Sequence, residues 1–163
     1  MSRIVKVMNN KAVTATVGGK KCYFRSVLEY RWALYLEFLK KGNEIQDWFY
    51  EDTLLNFQNR GYKCGPFMYK PDFRVVEKDG KWVFQECKGH HDGQTNSKLQ
   101  RTAKCYPGTV MELVLQSIPK RSVKGANRRF NASRYVRRII DASEIFRQCR
   151  GVINFEVSKY KLD

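Results

Sequence analysis

Apolar and polar positions alternate over residues 4–8 (IVKVM) and 13–17 (VTATV), with NNK between them. Period-two alternation marks a strand with one buried face, and Asn9-Asn10 tolerate positive φ, so the pattern predicts a hairpin there. GGKK at 18–21 reads as a second turn. Over residues 26–41 (SVLEYRWALYLEFLKK) apolar positions cover most of a helical circumference, which predicts a helix packed on two sides. Ser26 and Glu29 form a capping-box pattern at its start. Lys40 and Lys41 suit the dipole at its end, and Gly42 offers a C′ residue.

Beyond the helix the strand pattern returns. Residues 44–58 predict one or two strands, and NRGYKCGP reads as a loop. MYKPDFRVV and WVFQECK are two strand-like runs joined through EKDGK, and aspartate-glycine between such runs is a strong hairpin signal. Asn96 or Ser97 would cap a short helix ending before Pro107-Gly108, and TVMELVLQSI predicts a buried strand. RYVRRII continues as helix or strand, Asp141 and Glu144 would cap a final short helix, and VINFEV reads as a last strand. This order predicts a single α/β domain over residues 1–163, a central mixed β-sheet of four or five strands flanked by helices.

The hairpin register decides where the charges fall. With Lys78-Asp79-Gly80 as the loop and Gly80 in the left-handed region, Glu77 lies opposite Lys81 and Asp72 opposite Glu86. A two-residue loop at Asp79-Gly80 would instead set Asp72 against Cys87. The first register is preferred because it gathers the polar groups. Alternation then puts Glu86 and Lys88 on one face with Asp72, and Cys87 on the other. Facing carboxylates repel by roughly 0.2–1 kcal/mol on a sheet. Two carboxylates with room for water suit Mg²⁺, and a lysine beside them can orient or deprotonate water or stabilise charge on a phosphate.

Composition narrows the partner. The 163 residues are 42% hydrophobic and 13% aromatic, enough for a core. Lys plus Arg outnumber Asp plus Glu by 31 to 16, a net charge of +15 that attracts polyanions, nucleic acid first. No apolar run approaches the roughly 20 residues of a membrane span, and MSRIVKVMNN has no signal-peptide core, so no membrane association and a cytoplasmic location are expected. Five scattered cysteines without a CxxC or CxxH pair argue against a disulfide framework or structural zinc. Trp32, Trp48 and Trp82 are expected in the core. From Ser117 to Arg138 the chain carries no acid. Lys120, Arg121, Lys124, Arg128, Arg129 and Arg134 in this segment would track a nucleic-acid backbone, with Phe130 or Tyr135 stacking on bases.

Pro71-Asp72 followed by Glu86-Cys87-Lys88 resembles the PD-(D/E)XK nuclease superfamily. Its phage Holliday-junction resolvases and TnsA-like transposase endonucleases open the first helix with Ser-x-x-Glu, here Ser26 to Glu29. Phage endonuclease-like proteins add a Gly and a Phe before that helix, a Trp after it, PDF and a Lys-Gly, here Gly19, Phe24, Trp48, Pro71-Asp72-Phe73 and Lys88-Gly89. The likeness spans about residues 13 to 115. It implies a restriction-endonuclease-like core in which Asp72, Glu86 and the Cys87 carbonyl bind Mg²⁺, with Mn²⁺ as a substitute. It also implies that Lys88 acts on the water, that Glu29 completes the site, and that Lys98, Arg101 and Lys104 on the next helix face DNA. If phage-encoded, the protein would act in the host cytoplasm.

Each assignment has an ordinary alternative. Ser26-x-x-Glu29 is explained by capping alone, and a helix face with Lys98 and Lys104 could simply be solvated. His90 and His91 lie in a Gly-flanked loop and are accessory candidates for phosphate or metal contact. The resemblance implies a metal-dependent endonuclease, with branched DNA as the first substrate expectation and a homodimer to make symmetric cuts. A sequence-specific restriction or transposon-end endonuclease, and a non-catalytic DNA-binding protein that keeps the fold, are the alternatives. Residues 59–69 receive no role from the sequence, and RNA as a substrate stays open.

Overall fold

The computed structural model describes residues 11–89, 92–118 and 132–155. β1 (Val13–Val17) and β2 (Lys20–Phe24) form a separate hairpin. Gly18 and Gly19 turn it with φ of 56° and 80°, a left-handed pair that glycine adopts at least cost. A side chain at Gly18 would also strike the Glu37 carboxylate. VTATV therefore pairs forward with Lys20–Phe24, a strand the alternation did not announce. Its expected partner, residues 4–8, lies outside the described residues.

The long helix forms as its caps dictate. α1 (Val27–Lys41) has Ser26 as N-cap, whose hydroxyl accepts from Glu29 N, and lysines in its last turn. Gly42 closes it at φ −81°, and the left-handed residue is Asn43 at φ 56°, one position later than expected. Asparagine tolerates that region through local hydrogen bonding.

The central sheet has five strands in the order β3 (Ile45–Tyr50), β6 (Phe73–Glu77), β7 (Trp82–Lys88), β8 (Val110–Leu115), β9 (Arg138–Asp141). β3–β6–β7 are antiparallel and β7–β8–β9 parallel, so the sheet is mixed. β4 (Leu55–Asn56) and β5 (Met68–Tyr69) make a short ribbon beside it. α2 (Gly93–Cys105) joins β7 to β8, and α3 (Ala142–Gln148) follows β9. α2 begins earlier than Asn96, because Asp92 caps it by accepting from Thr95 N. Asp141 caps α3 as expected, and residues 152–155 form turn and coil where a strand was predicted.

Two cores cover the two sheet faces. Trp32, Ala33 and Leu36 of α1 pack with Trp48, Phe73, Val75, Cys87 and Val114. Leu99 of α2 packs with Phe57, Tyr69, Phe84, Leu113 and Leu115 on the other side. Trp82 belongs to neither. It is 56% exposed and carries the Arg74 guanidinium on its ring at 4.4 Å. A turn-proximal strand position faces solvent here, and aromatic size alone did not reveal that. All five cysteines are free. Among the described residues no helix is long and apolar enough to cross a membrane.

A carboxylate cluster on the central hairpin

The β6–β7 turn sets the site. Glu77 N donates to Lys81 O (2.8 Å), Gly80 N to Glu77 O (2.9 Å), and Gly80 takes φ 83°. Phe73 pairs with Gln85 and Val75 with Val83. One step further along this register, Asp72 meets Glu86, as the three-residue loop requires. Phe84 and Cys87 belong to opposite cores, so Glu86 and Lys88 share the α2 face while Cys87 points toward α1.

Each acid is buried and held differently. Asp72 Oδ2 accepts from Cys87 N at 2.7 Å, so this carboxylate completes a rung of the sheet ladder. Its Oδ1 has no hydrogen-bond partner among the described residues. Glu86, 2% exposed, accepts from the Tyr69 hydroxyl at 2.8 Å, and its other oxygen stands 3.1 Å from Lys88 Nζ. Glu29 is also buried. It accepts from Tyr50 OH (2.6 Å), Arg25 N (2.9 Å) and Ser26 Oγ (2.8 Å), so capping is a real occupation of this side chain.

Asp72 feels the charge of both other acids. Burial, then the charges of Glu86 and Glu29, push the Asp72 carboxyl well above the usual carboxylate range, against the Cys87 amide and Lys88. Burial and Glu86 likewise raise the Tyr69 hydroxyl, and burial and Glu29 raise that of Tyr50, so both tyrosines remain proton donors. Burial acts to lower the Lys88 ammonium, but Glu86 and Asp72 outweigh it, and the net shift is upward. Lys88 is thus held as a cation. It can donate hydrogen bonds and stabilise negative charge, and proton abstraction is the weaker of its sequence-predicted roles.

The donor set fits a hard divalent ion in part. Two buried carboxylates with one free oxygen and a single neighbouring ammonium leave excess negative charge that such an ion would offset. Among the described residues, however, no group of three or more His, Cys, Asp or Glu side chains stands ready to hold a metal. Asp72 and Glu86 are the paired donors. Glu29 acts on Asp72 through charge while its oxygens serve the helix cap and Tyr50.

The remaining predicted residues divide. Lys98 reaches the site, with Nζ 5.4 Å from the Tyr69 ring centre. Lys104 is exposed beside Tyr62. Arg101, expected to face DNA, is 8% exposed and engaged within the protein. Its guanidinium donates to the carbonyls of Cys64, Gly65 and Pro66 and lies over Tyr62 at 4.1 Å. This gives the unassigned 59–69 loop its anchor. Arg134 is exposed. Lys120, Arg121, Lys124, Arg128 and Arg129 lie outside the described residues, as do His90 and His91. Arg137 and Arg138, in the same acid-free segment, are tied to Glu112, and Arg137 also to Glu77. Sequence reasoning missed Tyr50 and Tyr69, which hold two of the three acids. Their only signal was position, Tyr69 three residues before Asp72 and Tyr50 at the end of β3. No family model, curated protein or solved structure matches the chain.

Proposed function

We propose that the protein is a Mg²⁺-dependent DNA endonuclease of the PD-(D/E)XK type that cuts branched DNA. The observation that carries this reading is the hairpin cluster: buried Asp72 and Glu86 on one sheet face, with Lys88 Nζ 3.1 Å from Glu86 and Glu29 close enough to raise the Asp72 pKa. A structural role alone gives no reason to bury crowded like charges at a strand end, because each costs desolvation and repulsion. The five-stranded mixed sheet and the net charge of +15 agree with it.

Asp72 and Glu86 would hold the ion together with the Cys87 carbonyl, and Mn²⁺ would serve in the same oxygen site. When bound, the metal polarises the phosphodiester and lowers the pKa of the attacking water. Tyr69 keeps the Glu86 carboxylate oriented. Lys88, charged, donates to a non-bridging phosphate oxygen or to the water. Symmetric cutting of a four-way junction would require two copies of the site and hence a homodimer.

A non-catalytic DNA-binding protein is the second reading. It draws on the Lys88–Glu86 ion pair and on the absence, among the described residues, of a ready three-ligand set. One experiment separates them: labelled four-way junction, flap, duplex and single-stranded DNA are incubated with Mg²⁺, beside Lys88→Ala. Symmetric junction cuts that vanish in the variant support the nuclease. Tight metal-independent binding with no cleavage of any substrate overturns it.

A further inference from the structure

A second basic feature lies outside both the hairpin site and the 117–138 segment. Arg31 of α1, Gln116 at the end of β8, Ser143 and Arg147 of α3, and the stretch from Arg150 to Phe155 enclose an open groove of about 1040 Å³. Arg31 is half-buried, and its Nε donates to Phe155 O at 2.9 Å. Burial and the neighbouring Arg150 charge both lower its pKa. Among the described residues neither Arg31 nor Arg150 has a carboxylate partner, and Arg147 pairs only with Glu144 in its own helix. Two guanidiniums thus face one space without an acid between them. That arrangement costs repulsion unless an anion occupies the space.

The groove is joined to the hairpin site through the backbone. Gln116 N donates to Lys88 O (2.9 Å), and Ser143 N donates to Gln116 O (3.0 Å). Both features therefore lie at the carboxyl ends of the parallel strands β7 and β8, the edge where open α/β sheets take ligands. Its rings, Phe146 and Phe155, are buried, so the lining offers guanidinium and amide groups and no exposed aromatic face for a base.

We propose that this groove holds the phosphodiester backbone of the nucleic acid on the α1 side of the same strand ends, away from the scissile bond, with Arg31 and Arg150 each taking a phosphate. The identity of the ligand rests on the nuclease reading; the anion site rests on the groove itself. Guanidiniums match phosphate oxygens in bidentate geometry. Such contacts position the substrate without reading its sequence.

The test is metal-free binding of labelled junction and duplex DNA across a salt series. Arg150→Ala is the main variant, since Arg150 is exposed. Arg31→Ala is added with a thermal melt, because Arg31 also holds Phe155. Lys78→Ala, at the far turn of the hairpin, removes the same charge elsewhere. Each lost phosphate contact should lower the slope of log K against log salt by about 1, and the double Arg variant by about 2. Arg150→Lys should recover most of the slope. Equal slopes for Arg150→Ala and Lys78→Ala would refute the groove while leaving Mg²⁺-dependent cleavage intact. A reduced slope in a protein that cuts nothing would keep the groove and refute the nuclease. Failure of the wild type to bind any nucleic acid would end both.

Discussion

Asp72→Asn should make the protein more stable while abolishing cleavage. Cross-strand neighbours stand about 5 Å apart, and two unit charges there at an effective dielectric near 20 repel by about 3 kcal/mol. The Lys88 ammonium, 3.1 Å from Glu86, offsets part of this, leaving a gain of about 1–2 kcal/mol for the neutral variant. Asparagine keeps an oxygen for the Cys87 amide, so the ladder rung survives. For a chain of this length the gain corresponds to a Tm rise of about 3–6 °C. The pH dependence fixes the cause. The folded-state pKa of Asp72 is raised, so its contribution to stability is whole below the ordinary carboxylate value of 3.8 and is lost as pH rises through the folded value. The advantage of the variant should therefore grow as pH rises through the folded value and fade on acidification. Mg²⁺ should stabilise the wild type, by about 2.7 kcal/mol at a hundred times its Kd, and leave the variant unchanged. Thermal melts from pH 4 to 8, with and without Mg²⁺, measure all three effects. A variant whose stability gap over wild type shrinks as pH rises, or widens in acid, would refute the reasoning.

Three further substitutions probe the supports. Tyr69→Phe removes the hydroxyl from buried Glu86 and should lower kcat about 10- to 100-fold with little change in KM, as loss of a ligand's outer partner does; unchanged turnover in single-turnover cleavage would remove Tyr69 from the site. Glu112→Gln breaks the chain Trp32–Gln85–Glu112 with Arg137 and Arg138 and should cost about 2–3 kcal/mol in urea unfolding. Burial raises the Glu112 carboxyl, but its hydrogen bonds from Gln85 and the two arginines outweigh this and hold it low, so the wild-type advantage should be present above pH 4.5 and decline below it. Arg101→Ala frees three carbonyls of the 64–66 loop and should destabilise by about 2 kcal/mol without altering the salt slope of DNA binding; a lower slope would return Arg101 to the interface.

Local chemistry was legible in the sequence, and tertiary use was not. Ser26, Gly80 and Asp141 act within a few residues of themselves, so their cap and turn roles could be read from neighbours alone. The hairpin register followed from Gly80, and with it the meeting of Asp72 and Glu86. The sequence pattern places the helix start at Asn96 or Ser97; Gly93 is a poor first helical residue, yet the N-cap bond from Thr95 N to Asp92 outweighs that cost and starts the helix earlier. Arg101 looked like a surface cation because its partners are backbone carbonyls 35 to 37 residues away, which leave no mark on composition. Lys20–Phe24 was missed because Lys20 and Lys21 resembled turn residues, although Lys20 crosses to Asp47 and the Trp48 ring. Arg31 and Arg150 are isolated in the sequence and come together only because α1 and the segment after α3 border the same strand ends.

The Cys87 amide is bonded to a side chain where a strand residue would ordinarily bond a backbone carbonyl. Its proton is therefore a spectroscopic probe inside the cluster. Its chemical shift should titrate with Asp72, and its exchange with deuterated solvent should accelerate when that carboxylate is protonated or drawn toward a cation. A single resonance, read without any substrate, would report both the charge state of the buried acid and the arrival of an ion beside it.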